Sequence, residues 1–435
     1  MNFLKNIINK AAKIEANEIR AVLLSFAFVF SCLASYYIIR SVRDGMSSDW
    51  SDAELSTIWT FTFFISFFVV SFYGYICSKI KFKYLVPGVY GFFAATFILL
   101  FALINAFPEM DSINQVFYVW VSVFSLLNIS VFWSFMADTY SKQQAKRLFG
   151  FIASGSSLGA IFGPTISLLF AGQVGSDTLV LISAVMLLIP MIIAIYLSKI
   201  KETDLENTAS AEYNESPMSG NFLDGFVEFL RTPLSKNILF GIGMFIVLYS
   251  GMSTFVYFAI KNILTDIDQD TRTQIWAGID LATNILAVFT AMFGTSRLAK
   301  RYGLSVTLSL VPAIIIVGMF VLALSPILWV VVGLQVIRRA GEYAITKPAR
   351  EMLFTLVDRE SRFKAKSVID VVVYRAGDIF WAWGFTGLTQ VLGFGLGGVA
   401  AIGGGVAMIW TALACLLYTS PSPRDATLSR MPSSA

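Results

Sequence analysis

The sequence predicts an all-α, polytopic membrane protein with about twelve transmembrane helices in two six-helix halves. Of its 435 residues, 56% are hydrophobic and only 14% are charged, whereas a soluble domain usually carries about 25% charged residues. The mean hydropathy is +0.72. Twelve apolar runs follow one another along the chain, each near the roughly 20 residues that a membrane-spanning helix needs. One long polar connection separates the sixth run from the seventh.

The first half begins with a short amphipathic segment, residues 1–19. Lys5, Lys10 and Lys13 alternate there with apolar side chains, a pattern typical of a helix that lies in the membrane interface. Six predicted helices follow within residues 20–200. The apolar runs place them at 20–41, 54–79, 84–107, 113–140, 148–172 and 177–199.

A polar linker, residues 201–235, divides the chain. It is acidic between Glu202 and Glu215 and contains Pro217 and Pro233. The second half, residues 236–417, again contains six apolar runs. They place its helices at 236–262, 272–298, 304–325, 327–350, 366–393 and 396–417.

The two halves share landmarks at a constant spacing, which predicts an internal duplication. An offset of 220 residues pairs Gly74 with Gly294, Lys81 with Arg301, Asp138 with Asp358, and Lys146 with Lys366. Two six-helix halves of the same topology resemble the major-facilitator type of transporter. Residues 294–303 are similar to the loop signature of that superfamily, with Lys300 where an Asp is usual.

The loops predict the orientation of the chain in the membrane. Lys and Arg occupy the loops after the second, fourth and eighth predicted helices and the connection from the tenth to the eleventh. The turns after the third, fifth, ninth and eleventh helices contain neither residue. Because basic loops stay on the cytoplasmic side, we expect a multi-pass inner-membrane protein with both termini in the cytoplasm.

The last eighteen residues, 418–435, change character abruptly. They lack apolar periodicity and contain three prolines and five serines. The string resembles translated adapter sequence, so we expect an artefactual tail after a truncated native C-terminus.

Composition also limits the chemistry. Histidine is absent, and Cys32, Cys77 and Cys415 have no paired spacing. The commonest general base and metal ligand are therefore missing, and neither a disulfide scaffold nor a zinc site is expected. No run of Lys and Arg is long enough to follow a nucleic-acid backbone. We expect no enzymatic activity, no cofactor and no nucleic-acid partner. The expected partners of this monomer are the lipid bilayer and a small anionic solute.

Charged side chains at bilayer depth indicate a substrate site, because each is costly unless it is paired or faces water. Arg338 and Arg339 follow Ile327 by eleven and twelve residues, which places them roughly 17 Å into a membrane core about 30 Å thick. Glu342 shares their helix face. Two arginines and one acid leave a positive charge, and a planar guanidinium suits carboxylate or phosphate.

Internal ion pairs are the alternative interpretation of these buried charges. Arg338 could pair with Glu342, and Arg375 with Asp378, to fasten helices together. Asp280 stands alone at intermediate depth, with Asn284 one turn away.

The segment from Arg338 to Asp378 is basic overall. It contains nine basic and six acidic residues, a net charge of +3. Positive-inside bias accounts for Arg359, Arg362 and Lys364. The residues on or inside helix ends are candidates for anion binding: Lys347, Arg350, Lys366 and Arg375. Spacing also permits the pairs Lys347–Glu351 and Lys366–Asp370.

Small and aromatic residues mainly predict packing. Gly155, Gly159 and Gly163 form a small-residue face for close helix contact, and the glycines from Gly393 to Gly405 do the same. Tyr257, Trp381 and Trp383 could stack on a base, although core or lipid contact is the simpler interpretation.

Five strings resemble the ATP/ADP translocase family of plastids and intracellular bacteria. They are Arg40-Ser-Val-Arg-Asp-Gly45, Phe132-Trp-Ser-Phe-Met-Ala-Asp138, Gln144-Ala-Lys-Arg-Leu-Phe-Gly150, Lys347-Pro-Ala-Arg-Glu-Met352 and Lys364-Ala-Lys-Ser-Val-Ile-Asp-Val-Val373. The resemblance implies a twelve-helix nucleotide exchanger. It places Arg43 where the family has a Lys before Asp, Lys366 on a family Lys, and Glu351 on a family Glu.

Two departures from that family affect its functional acids. Gln144 replaces the Glu before Ala-Lys-Arg, and the seventh helix near Tyr257 lacks an expected acidic residue. Strict ATP/ADP exchange is therefore less well supported than transport of some phosphorylated anion.

These observations predict a secondary carrier of a phosphorylated organic anion, with nucleotide exchange by alternating access as the leading hypothesis. A proton-coupled carrier of another organic anion or a drug-like solute, and a membrane scaffold without transport, are the alternatives. The candidate substrate-binding residues are Arg43, Lys146, Arg338, Arg339, Lys347, Arg350, Glu351, Lys366 and Arg375. The candidate gating or coupling residues are Asp44, Asp138, Asp280, Glu342, Asp370 and Asp378.

Overall fold

The computed structural model describes residues 14–77, 79–203, 205, 238–293, 295–354 and 368–419. Most of the predicted amphipathic segment and linker, and the tail from residue 420, lie outside these ranges. Every element within them is helical. The predicted all-α class is therefore confirmed.

The helices follow the predicted apolar runs. Those of the first half are α1 Ile19–Met46, α2 Asp52–Cys77, α3 Phe82–Ala106, α4 Asp111–Thr139, α5 Lys142–Val174, α6 Ser176–Met186 and α7 Leu188–Thr203. Those of the second half are α8 Ile238–Ile263, α9 Gln269–Phe293, α10 Thr295–Leu324, α11 Leu328–Gly341, α12 Lys347–Phe354, α13 Tyr374–Thr386 and α14 Leu396–Thr419.

Ten helical stretches within the described ranges are long and apolar enough to cross a membrane. The predicted sixth helix consists of α6 and α7 together. The predicted tenth and eleventh helices are instead divided by π-helical segments, Glu342–Thr346 within the tenth, and Val368–Val373 and Gly387–Val391 at the two ends of α13. A π-turn adds one residue to an α-helical turn and often lies at a functional site.

Local capping sets the start of α5 six residues before its predicted start at residue 148. The Ser141 hydroxyl accepts from the Gln144 backbone N–H at 3.3 Å, and Gln144 Oε1 accepts from the Ser141 N–H at 3.0 Å. This reciprocal capping box satisfies two N–H groups that the helix would otherwise leave without partners. Gln144, which departs from the translocase pattern, therefore has a structural role here.

The predicted glycine face of α5 packs closely against α1. A Cβ at Gly155 would lie 2.7 Å from the Phe26 carbonyl oxygen, and at Gly159 and Gly163 it would lie even closer to the carbonyl oxygens of Phe30 and Ala34. Only glycine permits this approach, so the prediction of close helix packing is confirmed. Gly397 likewise faces the Ala323 carbonyl, across α14 and α10.

The chain forms two compact units. The first contains Met1–Trp50, Thr60–Ser219 and Asp266–Asn284, and the second contains Ser51–Trp59, Gly220–Thr265 and Ile285–Ala435. Each unit combines most of one sequence half with a short segment of the other. The start of α2 belongs to the second unit, and the first part of α9 belongs to the first. The predicted division at 201–235 stays a prediction.

Candidate functional site

Arg338 is a buried cation held by neutral groups in the second unit. Its side chain lies on α11 and is 2% exposed. Nε and Nη2 donate to Gln335 Oε1 at 3.1 and 2.8 Å, and Nη1 donates to the Tyr249 hydroxyl at 3.2 Å. In the part of the chain that the structure describes, no carboxylate lies within 4 Å of this guanidinium. Its charge therefore acts on Glu342 and Asp378 only from a distance.

The alternative in which Glu342 pairs directly with Arg338 is not observed. The Arg338 guanidinium instead donates to Gln335, which lies one turn earlier on α11. Glu342 opens a π-helical segment, so the α-helical spacing on which the expected pair depended ends there. Glu342 is buried at the start of this segment.

The other predicted charged residues of this region differ in burial. Arg339 and Arg350 are buried, Glu351 is half-buried, and Lys347 is exposed. Arg350 Nη2 donates to Asp370 Oδ1 at 2.9 Å, which ties α12 to the π-helical segment before α13. Lys366 lies outside the described residues, so the predicted Lys366–Asp370 pair has no structural account.

Arg375 and Asp378 form the predicted pair, but loosely. Arg375 Nη1 lies 3.9 Å from Asp378 Oδ2, with the two side chains 29% and 13% exposed. This distance exceeds that of a charge-assisted hydrogen bond. Arg375 therefore retains donors that a solute could use.

An aromatic ring lies beside Arg338, and two further rings pack against that ring. The guanidinium lies over the Tyr249 ring, 5.6 Å from its centroid. Tyr249 contacts Tyr374 at 6.1 Å and Trp410 at 5.8 Å between ring centroids. The rings that the sequence singled out lie elsewhere. Trp381 donates to the Val247 carbonyl at 2.7 Å, Tyr257 packs against Trp59, and Trp383 is 44% exposed.

A second charged cluster lies in the first unit, around the end of α1. Arg43 Nε and Nη2 donate to Asp44 Oδ1 at 2.9 and 2.6 Å. Arg40 Nε lies 3.5 Å from Asp44 Oδ2 and 3.7 Å from Asp280 Oδ2 on α9. The predicted residues Arg43, Asp44 and Asp280 therefore come together, and Arg40 joins them.

The remaining predicted residues take part in surface and latch contacts. Lys146 is exposed near the start of α5. Asp138 at the end of α4 accepts from Lys201 at 2.9 Å, which fastens α4 to α7. This ion pair accounts for Asp138 without any substrate.

Sequence reasoning missed several charged contacts near helix ends. Lys261 Nζ lies 2.9 Å from Asp52 Oδ1, with side chains only 2% and 8% exposed, and joins α8 to the start of α2 in the second unit. Arg272 pairs with Asp49 in the first unit. The sequence did show a charged residue near the end of each of these apolar runs. It could not show which charges pair, because the partners are far apart in the sequence.

No metal site follows from the side chains described. Among those residues, no three or more Cys, Asp or Glu side chains are arranged to hold a metal ion. Arginine, tyrosine and glutamine side chains can donate hydrogen bonds to an anion. The partly exposed carboxylates can exchange ion pairs with the arginines.

Comparisons with known proteins agree with this architecture. The sequence model of the Major Facilitator Superfamily matches residues 21–362. A search of curated proteins finds no match. Three solved structures share the fold. The nucleoside transporter NupG is 13% identical, with a TM-score of 0.63 over 94% of this chain and 100% of that chain. The inward-open xylose transporter XylE from E. coli is 11% identical, with a TM-score of 0.59 over 94% and 97%. A bacterial homolog of the human lysosomal transporter Spinster is 13% identical, with a TM-score of 0.54 over 97% and 100%.

Proposed function

The chain belongs to the major facilitator superfamily of multi-pass membrane transporters, and on this premise we propose that it exchanges phosphorylated organic anions, with nucleotides as the substrate class. Alternating access of two halves around a central site is the transport mode that this architecture supports. The cytoplasmic location of both termini remains a prediction from the loop charges.

Arg338 is the observation that carries this proposal. Keeping a charge in a low-dielectric interior is costly unless an opposite charge or a ligand compensates it. Gln335 and the Tyr249 hydroxyl orient the guanidinium but leave its charge intact. A phosphate would supply the opposite charge, and the planar fork of arginine matches phosphate oxygens in pairs.

The surroundings of Arg338 support a large organic anion over a simple inorganic one. Buried Arg339 follows Arg338 on α11, whereas Arg350 on α12 is paired with Asp370. The Tyr249 ring supplies aromatic surface beside the guanidinium, and the Tyr374 ring packs against it. Positive charge next to aromatic rings suits a solute with a phosphate and a planar base. Nucleotides have both, and the ATP/ADP translocase resemblance implies the same class.

A panel of labelled solutes tests the proposal. Cells that produce the protein are offered labelled ATP, ADP, GTP, adenosine, glycerol phosphate and xylose. We expect saturable uptake of at least one nucleotide, competed by unlabelled nucleotides and not by adenosine or xylose. Uptake of adenosine or xylose without nucleotide uptake would contradict the proposal, because a neutral solute has no need of the uncompensated guanidinium.

A proton-coupled carrier of another organic anion or a drug-like solute is the second candidate function. The burial of Asp280 and Asp378 favours this proton-coupled candidate. A carboxyl group at bilayer depth can hold a transported proton. The response of uptake to a proton gradient separates this candidate from anion exchange.

A further inference from the structure

Polar contacts join α1 to α9 within the first unit, and a pair of them lies one helical turn apart. Arg40 lies 3.7 Å from Asp280. One turn away, the Tyr37 hydroxyl donates to Asn284 Oδ1 at 3.4 Å. Because α1 belongs to the first sequence half and α9 to the second, these contacts fasten helices from the two halves. A movement that separates the predicted sequence halves would change these contacts.

The two arginines near the C-terminal end of α1 are held differently. Two donations to Asp44, a hydrogen bond to Ser122 at 3.3 Å and the Tyr118 ring at 5.1 Å fix Arg43. Arg40 approaches Asp44 and Asp280 at 3.5 and 3.7 Å, beyond the roughly 2.7–2.9 Å of a charge-assisted hydrogen bond. Arg43 therefore lies closer to Asp44 than Arg40 does, and the Arg40–Asp280 contact is the longest of these ion pairs.

Exposure also distinguishes Arg40 from its acids. The Arg40 side chain is 17% exposed, whereas those of Asp44 and Asp280 are 1% exposed. The Arg40 side chain is therefore the more accessible partner in each of these two contacts. The planar fork that arginine presents suits a phosphate or a carboxylate.

The charges of this cluster cancel. Arg40 and Arg43 supply two positive charges, and Asp44 and Asp280 supply two negative ones. An anion that binds Arg40 makes the cluster negative and repels Asp280 in a medium of low dielectric constant. Anion binding and the Arg40–Asp280 pair therefore compete.

We propose that Arg40 is a further anion-binding residue, and that Asp280 pairs with Arg40 when the carrier is empty. This inference rests on the anion exchange proposed above. The ion pair then holds α1 against α9 and slows the movement of the empty carrier. A bound anion takes over Arg40, weakens the contact between the two helices and permits the movement. Transport in one direction consequently requires an anion for the return, which is the definition of obligatory exchange.

Efflux from proteoliposomes tests this coupling. Vesicles containing the wild-type protein are loaded with labelled ATP and diluted into buffer with or without ADP. We expect external ADP to accelerate efflux about tenfold or more in the wild type. In Asp280→Asn, efflux without ADP should rise about tenfold, and ADP should bind about tenfold more tightly because its competitor is gone. A merely structural acid would not increase affinity when it is removed.

Glu18→Gln is the matched control. Glu18 is also 1% exposed and pairs with Arg147 at 2.7 Å in the same unit, but this contact joins α5 to the chain just before α1 within one sequence half. The control should retain the requirement for external ADP.

The outcomes separate the two proposals. Wild-type exchange together with unchanged ADP dependence and affinity in Asp280→Asn would overturn the role of Arg40 alone. Failure of the wild type to exchange any anion of the panel would overturn both proposals. Should Asp280→Asn not reach the membrane, Arg40→Gln is measured instead. We expect about tenfold weaker ADP binding together with loss of ADP dependence, and unchanged binding would overturn the inference.

Discussion

Arg338 and Arg43 show two ways in which a protein can hold a guanidinium inside a membrane. Arg43 donates twice to Asp44, and this carboxylate cancels its charge. Arg338 donates to Gln335 and Tyr249, which fix its position but cancel nothing. Only the second arrangement leaves a net positive charge for a ligand. This difference makes Arg338 the stronger candidate for the primary anion site.

Substitution of Arg338 should separate its charge from its shape. Arg338→Gln removes the charge, and we expect nucleotide uptake to fall about a hundredfold. Arg338→Lys keeps the charge but loses the planar fork, so uptake should fall about tenfold. Initial rates of labelled ADP uptake, normalised to the amount of protein in the membrane, provide the measurement.

The control for this experiment is Arg301→Gln, because Arg301 is an exposed cation near the start of α10. Its uptake should stay close to that of the wild type. Normal uptake by Arg338→Gln would contradict the proposed anion site.

At the scale of elements, the second unit differs from the first in the regularity of its helices. Among the described residues, the π-helical segments all lie in the predicted tenth and eleventh helices, beside Arg338, Asp370 and Arg375. An extra residue in a turn re-aims the side chains that follow. Glu342 and Asp370 both lie in such segments, and Asp370 pairs there with Arg350 of α12.

The contact between α1 and α5 depends on glycine and gives a prediction at this scale. Gly159→Leu should destabilise the protein by several kcal/mol, because a side chain there meets the Phe30 carbonyl and cannot be accommodated without separating the helices. The melting temperature of the purified protein in detergent provides the measurement.

Gly150→Leu is the matched control on the same helix. Gly150 is exposed, and a Cβ there would meet nothing within 4 Å. Its melting temperature should change little. Equal stability of the two leucine variants would show that the α1–α5 contact does not require glycine.

At the scale of the whole molecule, the question is what drives the carrier. Anion exchange and proton coupling require different protonation behaviour of Asp280 and Asp378. In exchange, their carboxylates serve as counterions to Arg40 and Arg375. In proton coupling, one of them must gain and lose a proton during each cycle.

An uncoupler distinguishes these two modes. We expect exchange of labelled ADP for internal ATP to continue in proteoliposomes after the proton gradient is collapsed, because the anion gradients alone drive it. Collapse of uptake, together with its recovery on an imposed inward proton gradient, would favour the proton-coupled candidate. Proteoliposomes without internal nucleotide are the control, and they should take up little label in either condition.

Local properties of the sequence determined the helices and some of their packing. The length of an apolar run sets where the chain crosses the membrane, and the spacing of Gly155, Gly159 and Gly163 places them on one face. The predicted depth of Arg338 in the membrane rests on counting residues along its helix from Ile327. Each of these inferences concerns residues within one element, where helical geometry relates sequence spacing directly to position.

The tertiary structure alone decided which charges compensate each other. It joins Arg40 to Asp280, Lys261 to Asp52 and Arg350 to Asp370, and it gives Arg338 a tyrosine from α8. Same-face spacing within a helix had suggested Glu342 as the partner of Arg338. Residues distant in sequence meet only when helices pack, and spacing along the chain contains no information about that meeting. The net charge of a buried site therefore depends on contacts that exist only in the folded protein.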